Sequence, residues 1–323
     1  MSIRYAARTR PGTMVSTWLN SLVSGTAPSG AGYFGGGYDG SNYATVDKFA
    51  FGDDSRTTLG TGLSAALRGD AGMANSGTAG YFGGGTTGSF VTTVDKFAFS
   101  DDSRTTLGTG LSAALSTLAG MANSGTAGYF GGGQNASAAA VTTVDKFAFS
   151  DDSRTTLGTG LSVARYNVAG MANSGTAGYF GGGYGATWYT TVDKFAFSDD
   201  SRSTLGTGLA LAIAGVAAMA NSGTAGYFGG GYPASPFTKQ TAVYKFAFSD
   251  DSRTTLGTGL STANRFLAAM ADSGTAGYFG GGDTGSAVAT VDKFAFADDS
   301  RTTLGTGLSI ARSRLAGMAN GNI

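Results

Sequence analysis

A unit of 48 to 51 residues is written six times along this chain, and that periodicity limits the fold more than any single residue does. Tyr-Phe-Gly-Gly-Gly begins at Tyr33, Tyr81, Tyr129, Tyr179, Tyr227 and Tyr278, at intervals of 48, 48, 50, 48 and 51 residues. Each copy passes through a short variable stretch into Val-Asp-Lys-Phe-Ala-Phe (Val46 to Phe51 in the first), with Tyr244 replacing the Asp in the fifth. Asp-Asp-Ser-Arg, Thr-Leu-Gly-Thr-Gly-Leu, a second variable stretch and Gly/Ala-Met-Ala-Asn/Asp complete the unit. Repeats of this length signal arrays in which each unit buries its apolar surface against its neighbours.

Within a unit the period is two. Asp47, Phe49 and Phe51 fall on one face and Val46, Lys48 and Ala50 on the other, which is strand behaviour. Three-glycine runs, Asp-Asp-Ser and Asn-Ser-Gly are turn chemistry, and they separate four strand-sized segments per copy. Four short strands per repeat predict an all-β chain: a six-bladed β-propeller of four-stranded antiparallel blades over residues 31–323, preceded by a separate segment, residues 1–30. The first copy opens at a second strand (Gly32 to Gly37) and the chain ends on a first strand without a partner (Leu315 to Asn320), so the C-terminal strand is expected to close the ring.

The blade pattern resembles the kelch family. Ala71 to Gly77 matches its first strand, Gly80 to Gly85 its glycine-ending second, Val94 to Phe99 its third with Phe97 where kelch has Tyr, and Arg104 to Leu111 its fourth. The resemblance spans about residues 31 to 323 and departs from the pattern in strand four, where Thr105 to Leu107 include no Trp and the family's Arg recurs only as Arg165 and Arg312.

Composition narrows the chemistry. The chain has no His and no Cys, and its 21 acidic residues are all Asp. Common zinc, copper and haem ligands, thiol nucleophiles and the usual near-neutral titrating group are therefore missing, so no metal or other cofactor is expected. A sialidase-like site would need a Glu, and a kelch-like copper oxidase His and a modified Cys. The six Asp-Asp pairs (Asp53-Asp54 onwards) lack the alternating ligand spacing of a calcium loop and are expected to cap hairpins, pairing with the Arg two residues on or with the neighbouring blade. The Gly-Gly-Gly run precedes a strand, not a helix, and is expected to be a structural turn rather than a phosphate loop. No enzyme activity is expected. Zero formal net charge gives no electrostatic case for nucleic acid, and no apolar stretch is long enough to span a membrane.

Differences among the copies concentrate in the stretch after the glycines (Tyr38 to Ala44 in the first) and in the stretch before each first strand (Ser64 to Asp70). In an up-and-down blade the loop between strands two and three and the connection from strand four to the next blade emerge on one face, while the Asp-Asp-Ser-Arg turns on the other face hardly change. The variable loops collect Tyr38, Tyr43, Phe90, Tyr166, Tyr184, Trp188, Tyr189, Tyr232, Phe237 and Phe266, with Arg68, Arg165, Arg265, Arg312 and Lys239 as donors. Tyr and Trp among Ser, Gly and Asn is the composition of a recognition surface, suited to a cell-surface glycan or protein.

Residues 1–30 carry Arg4, Arg8 and Arg10 without an acid. Met14, Trp18 and Leu22 recur at helical spacing after Thr13, a candidate N-cap. A helix of that length needs something to dock on, either its own propeller or a partner assembly, and in the functional reading this arm anchors the propeller to a partner. Low charge, Gly/Ser/Thr/Ala richness and near-identical blades are similar to bacteriophage tail, fibre or capsid-decoration proteins. That resemblance implies a virion structural or adhesion protein held to other virion proteins through residues 1–30, with a homo-oligomer in the assembly compatible with it. The alternative is a free lectin-like or protein-interaction propeller of bacterial origin, located in the cytoplasm.

Overall fold

The computed structural model describes residues 30–321, which form six four-stranded antiparallel sheets. The anchoring residues Arg4, Arg8, Arg10, Met14, Trp18 and Leu22 lie outside the described residues. Counted outwards from the central channel, blade 2 comprises Ala71–Asn75, Ala79–Gly83, Val94–Ala98 and Arg104–Thr106, and blades 3 to 6 repeat it. Blade 1 is assembled from both ends of the chain. Ala316–Asn320 pairs with Ala31–Gly35, with Ala31 opposite Asn320 and Gly35 opposite Ala316, and Val46–Ala50 and Arg56–Thr58 follow.

The second strand, Ala-Gly-Tyr-Phe-Gly, is buried at every position because both faces of each sheet are covered by neighbouring blades. This explains a continuous apolar run where a sheet with one wet face would alternate. Tyr33 stacks on Phe99 of blade 2 with ring centroids 5.4 Å apart, whereas Phe34 joins the cluster of Tyr278 and Val291 in blade 6. The glycines that flank each Tyr-Phe pair are seats for the adjacent blades: a Cβ on Gly80 would lie 2.1 Å from the sulfur of Met318, and one on Gly35 2.7 Å from the Phe82 ring. Six apolar clusters of this kind, one per junction, make up the core. The outermost strands are only three residues long and largely exposed, which leaves little free edge for another chain to pair with.

Polar bonds repeat at each junction and account for the paired aspartates. The first Asp of each pair accepts from the backbone N–H two residues on, as Asp53 does from Ser55 at 3.0 Å. The second sits in the left-handed region (Asp102 φ +57°) and reaches the previous blade, where Asp102 accepts from Tyr33 Oη at 2.8 Å and Lys48 Nζ at 2.7 Å. This arrangement occurs at all six junctions and closes from Tyr278 and Lys293 onto Asp54. Pairing with the neighbouring blade is thus the observed role, while the Arg two residues on bonds elsewhere: Arg56 lies 3.6 Å from Asp47 of the third strand.

Asp47 is fully buried, and its two oxygens take Thr58 Oγ1 at 2.7 Å and the N–H and hydroxyl of Ser309 in the adjoining blade, each at 2.9 Å. Burial alone would raise its pKa, but Thr58, Arg312 and Ser309 together hold it below the usual carboxylate value. The same Asp–Ser pairing recurs for Asp95 with Ser64, Asp145 with Ser112, Asp193 with Ser162 and Asp292 with Ser261. In the fifth blade both members change: Tyr244 replaces the Asp, and Ala210 occupies the serine position. We expect Tyr244→Asp alone to cost about 2–4 kcal/mol, from lost apolar volume and a buried carboxylate short of donors. Adding Ala210→Ser should recover about 1–2 kcal/mol. A double-mutant cycle in urea measures this coupling, and strict additivity would reject it.

Candidate functional site: an aromatic and arginine strip on the variable face

The two variable segments are tied together by backbone hydrogen bonds. Tyr38 N–H donates to Ser313 O at 2.8 Å, Thr86 to Arg68 at 2.9 Å, Tyr184 to Tyr166 at 2.8 Å and Asp283 to Arg265 at 2.8 Å. In the other two blades short pairings do the same, Gln134 opposite Ser116 and Tyr232 opposite Ala214. Each loop after the glycines therefore lies beside the connection entering its own blade, which places both variable sets on one face.

At the channel mouth on this face, one residue per blade closes a ring. Thr117 N–H donates to Gly69 O, Asn167 to Thr117, Gly215 to Asn167, Phe266 to Gly215, Arg314 to Phe266 and Gly69 to Arg314, at 2.6 to 3.0 Å. All six have φ between +53° and +68°. Glycine would suit such a backbone, yet four positions carry Thr117, Asn167, Phe266 and Arg314, at the cost of strain that bulky and β-branched residues feel most. The ring position thus holds its backbone constant while its side chain varies.

Around this mouth the aromatics are unevenly distributed. Tyr166 meets Tyr184 at 5.3 Å, Tyr184 meets Trp188 at 4.4 Å, and Trp188 meets Phe237 at 5.5 Å and Tyr232 at 6.3 Å. Tyr232 continues to Phe266 at 5.5 Å, where Arg265 lies 5.0 Å from both rings and Arg314 lies 4.4 Å from Phe266. Across the seam with blade 1, Arg68 covers Tyr38 at 4.3 Å. The connected strip thus runs from the blade 4 loops to blade 6, with blade 1 next to it. None of its rings belongs to the six core clusters, so it is additional to what holds the blades together. Phe237 is the extreme case: 59% exposed and left-handed at φ +59°, a large apolar ring kept in water on a strained backbone.

The structure gathers Tyr166, Tyr184, Trp188, Tyr232, Phe237 and Arg265 from the predicted set into one patch, with Tyr38 beside it. It does not gather the rest. Tyr43 is half-buried and donates its hydroxyl to Asp39 at 2.8 Å; Phe90 is half-buried in the blade 2 loop, and Tyr189 is half-buried next to Trp188 but outside the connected rings. Arg165 and Arg312 are corrections. Both are 0% exposed, held by Asp193 at 2.8 Å and Asp47 at 3.0 Å and by main-chain carbonyls, so neither reaches a ligand on the surface. Each occupies the position of Leu67, Leu115 and Ile213 in other blades, a column that faces inwards.

Arg314 was missed by the sequence expectation, although a signal existed: Gly69, Thr117, Asn167, Gly215, Phe266 and Arg314 form a column with five residue types in six copies, next to a nearly uniform apolar one. The other mouth of the channel is nearly invariant. There Ser124 Oγ accepts from Ser76 N–H at 2.9 Å and the pattern repeats through Ser174, Ser222 and Ser273, while Ser76 Oγ donates to Gly321 O. Between the mouths the inner strands crowd together, so that a Cβ on Gly72 would lie 2.2 Å from Gly317 O.

No protein-family model matches this chain, and no curated protein matches it.

Proposed function

We propose that this chain is a non-enzymatic recognition propeller, a virion component of the tail, fibre or decoration type, that binds a cell-surface ligand through the variable face and is anchored by residues 1–30. The observation that carries the binding role is the strip of Tyr166, Tyr184, Trp188, Tyr232, Phe237 and Phe266, which is outside the core clusters, partly exposed and flanked by Arg265 and Arg314. Aromatic rings with arginine carry much of the energy at recognition surfaces and lose little conformational freedom on binding. The virion assignment draws on the low-charge, Gly-rich, sixfold-amplified composition and the basic arm. The kelch-like blade pattern fits the same display role.

Trp188→Ala together with Phe237→Ala should reduce binding to susceptible cells at least tenfold while the protein still melts in a cooperative transition, since neither ring belongs to the clusters that join the blades. Unchanged cell binding would reject the strip as the site. Finding the chain in purified particles would test the virion role; a protein confined to the soluble bacterial fraction would favour a free lectin-like propeller. That second reading has one structural point in its favour, since the ring is closed by its own last strand and the propeller needs no partner to complete a blade.

A further inference from the structure

A groove of about 240 Å³ runs between blades 6 and 1, lined by Tyr38, Asp39, Arg265, Phe266, Asp283 and Arg314, among others. It is smaller than the roughly 300–1,000 Å³ of pockets that enclose drug-sized ligands, and so is sized for a single ring or one residue of a longer chain. Its charge is unbalanced. Arg265 is spent on Asp283 at 2.8 Å, with Lys239 3.7 Å from the same carboxylate. Asp39 accepts from Tyr43 and Ser41. Arg314 and Arg68 have no carboxylate within 4.0 Å among the described residues; one lies over Phe266, and the other over Tyr38 with a bond to Asn42 at 2.8 Å. The lining itself pairs two arginines with two carboxylates, and Arg68 on Tyr38 and Lys239 beside Asp283 add two further cations at its edge, an excess in a formally neutral protein.

Arg314 is also half-buried, and burial first, then the neighbouring Arg68, depress its pKa. Its backbone is left-handed at φ +56°, at a position where two other blades use glycine. Strain, burial and like-charge proximity all act against placing an arginine here. Together they leave a guanidinium already stacked on a ring, with its donors free for an incoming anion.

We propose that this groove binds an acidic saccharide, a pyranose bearing a carboxylate, sulfate or phosphate, with the anion taken by Arg314 and Arg68 and the sugar ring laid against Phe266 and Tyr38. This rests on the recognition reading of the face and names the ligand class. A pyranose offers an apolar face to an aromatic ring and hydroxyls to Ser286, Asp39 and Ser313, while the anion neutralises the excess positive charge.

The purified full-length chain is tested on an array of carboxylated, sulfated and phosphorylated glycans with their neutral counterparts, alongside Arg314→Asn. Asparagine already occupies this ring position as Asn167, so the variant keeps a side chain the fold accepts. The expected result is at least a tenfold preference for acidic glycans in the parent, reduced to near parity in Arg314→Asn at an unchanged melting temperature. Equal or better binding of the neutral glycans would overturn the acidic-ligand assignment and leave the recognition face standing. Trp188-dependent binding to cells without any glycan binding would overturn it in favour of a protein ligand. Equal competition by an oligonucleotide would show that the groove reads charge alone, and an acidic preference retained in Arg314→Asn would remove Arg314 from the site. Absence of both glycan binding and Trp188-dependent cell binding would sink the recognition reading itself.

Discussion

Asp70→Leu should raise the melting temperature by roughly 3–8 °C, an uncommon direction for a single change. Asp70 is 6% exposed, and neither of its carboxyl oxygens has a hydrogen-bond partner from any other described residue. The equivalent positions in the other blades are Leu118, Val168, Val216, Leu267 and Leu315, all of them apolar and no more than 6% exposed. An unsatisfied buried polar group costs about 1–3 kcal/mol and burial of a leucine side chain contributes about 1.5–3 kcal/mol, so a gain of about 2–5 kcal/mol is expected. The pocket has accepted leucine twice in neighbouring blades at the same backbone geometry, which limits the risk of overpacking.

The pH dependence is the sharper test. Burial, above all, pushes the Asp70 carboxyl well above the ordinary carboxylate pKa; its own backbone N–H and Arg312 oppose this and Asp95 adds to it. A group whose folded pKa is raised binds more protons folded than unfolded. The parent is therefore relatively most stable below the unfolded pKa of about 3.9 and loses stability as pH rises from there through the folded pKa. The advantage of Asp70→Leu should be greatest at neutral and alkaline pH and shrink as pH falls towards about 4. Melting curves of both proteins across pH 4–9 measure this. A gain that does not vary with pH, or no gain, would mean that Asp70 finds a partner in solution.

The architecture was legible because the repeat is its own alignment. Six copies of one pattern gave the strand count, the blade count and the closure from residues alone, and Ala316–Asn320 does pair with Ala31–Gly35. The same comparison located the variable face, since only loops free of the shared junction bonds could diverge. It misassigned Arg165 and Arg312 because a variable column was equated with an exposed one. Variation at that position reflects alternative ways of filling a buried site: leucine and isoleucine by apolar contact, arginine by pairing with Asp193 or Asp47. Nor could spacing along the chain show that aromatics from the loops of blades 4, 5 and 6 form one continuous strip while Tyr43 and Phe90 stand apart. That depends on ring position around the channel and on side-chain direction, which the period-two pattern does not carry. Arg314 was hidden for a related reason, since its value comes from a ring of left-handed residues visible only when six blades face each other.

Removal of residues 314–323 should abolish the folded monomer rather than merely lower its stability. The deletion takes away the innermost strand of blade 1, leaving the Ala31–Gly35 edge unpaired over five residues. It also takes Arg314 from the channel-mouth ring and Met318 from its seat against Gly80. Blades 1, 2 and 6 would all lose a buried neighbour, since the apolar cluster joining blades 1 and 2 contains Ala316 and Met318 and that joining blades 6 and 1 contains Leu315. At about 2–5 kcal/mol for each lost Leu or Met and more for the unpaired strand, the loss matches or exceeds the 5–15 kcal/mol that usually separates folded from unfolded domains. The exposed strand edge and near-identical neighbouring blades then favour intermolecular pairing, so aggregation or swapped oligomers are expected by light scattering. A circular permutant separates loss of closure from loss of mass. Joining Asn320 to Ala31 through Ser-Gly-Thr recreates the hairpin that links Asn75 to Ala79 in blade 2, and opening the chain in the variable loop at Gly88 keeps all strands. That protein should be monomeric and cooperatively folded, because all four strands of blade 1 then follow one another as they do in the other blades. A soluble monomer from the deletion, or an unfolded permutant, would show that the ring is not held by this strand.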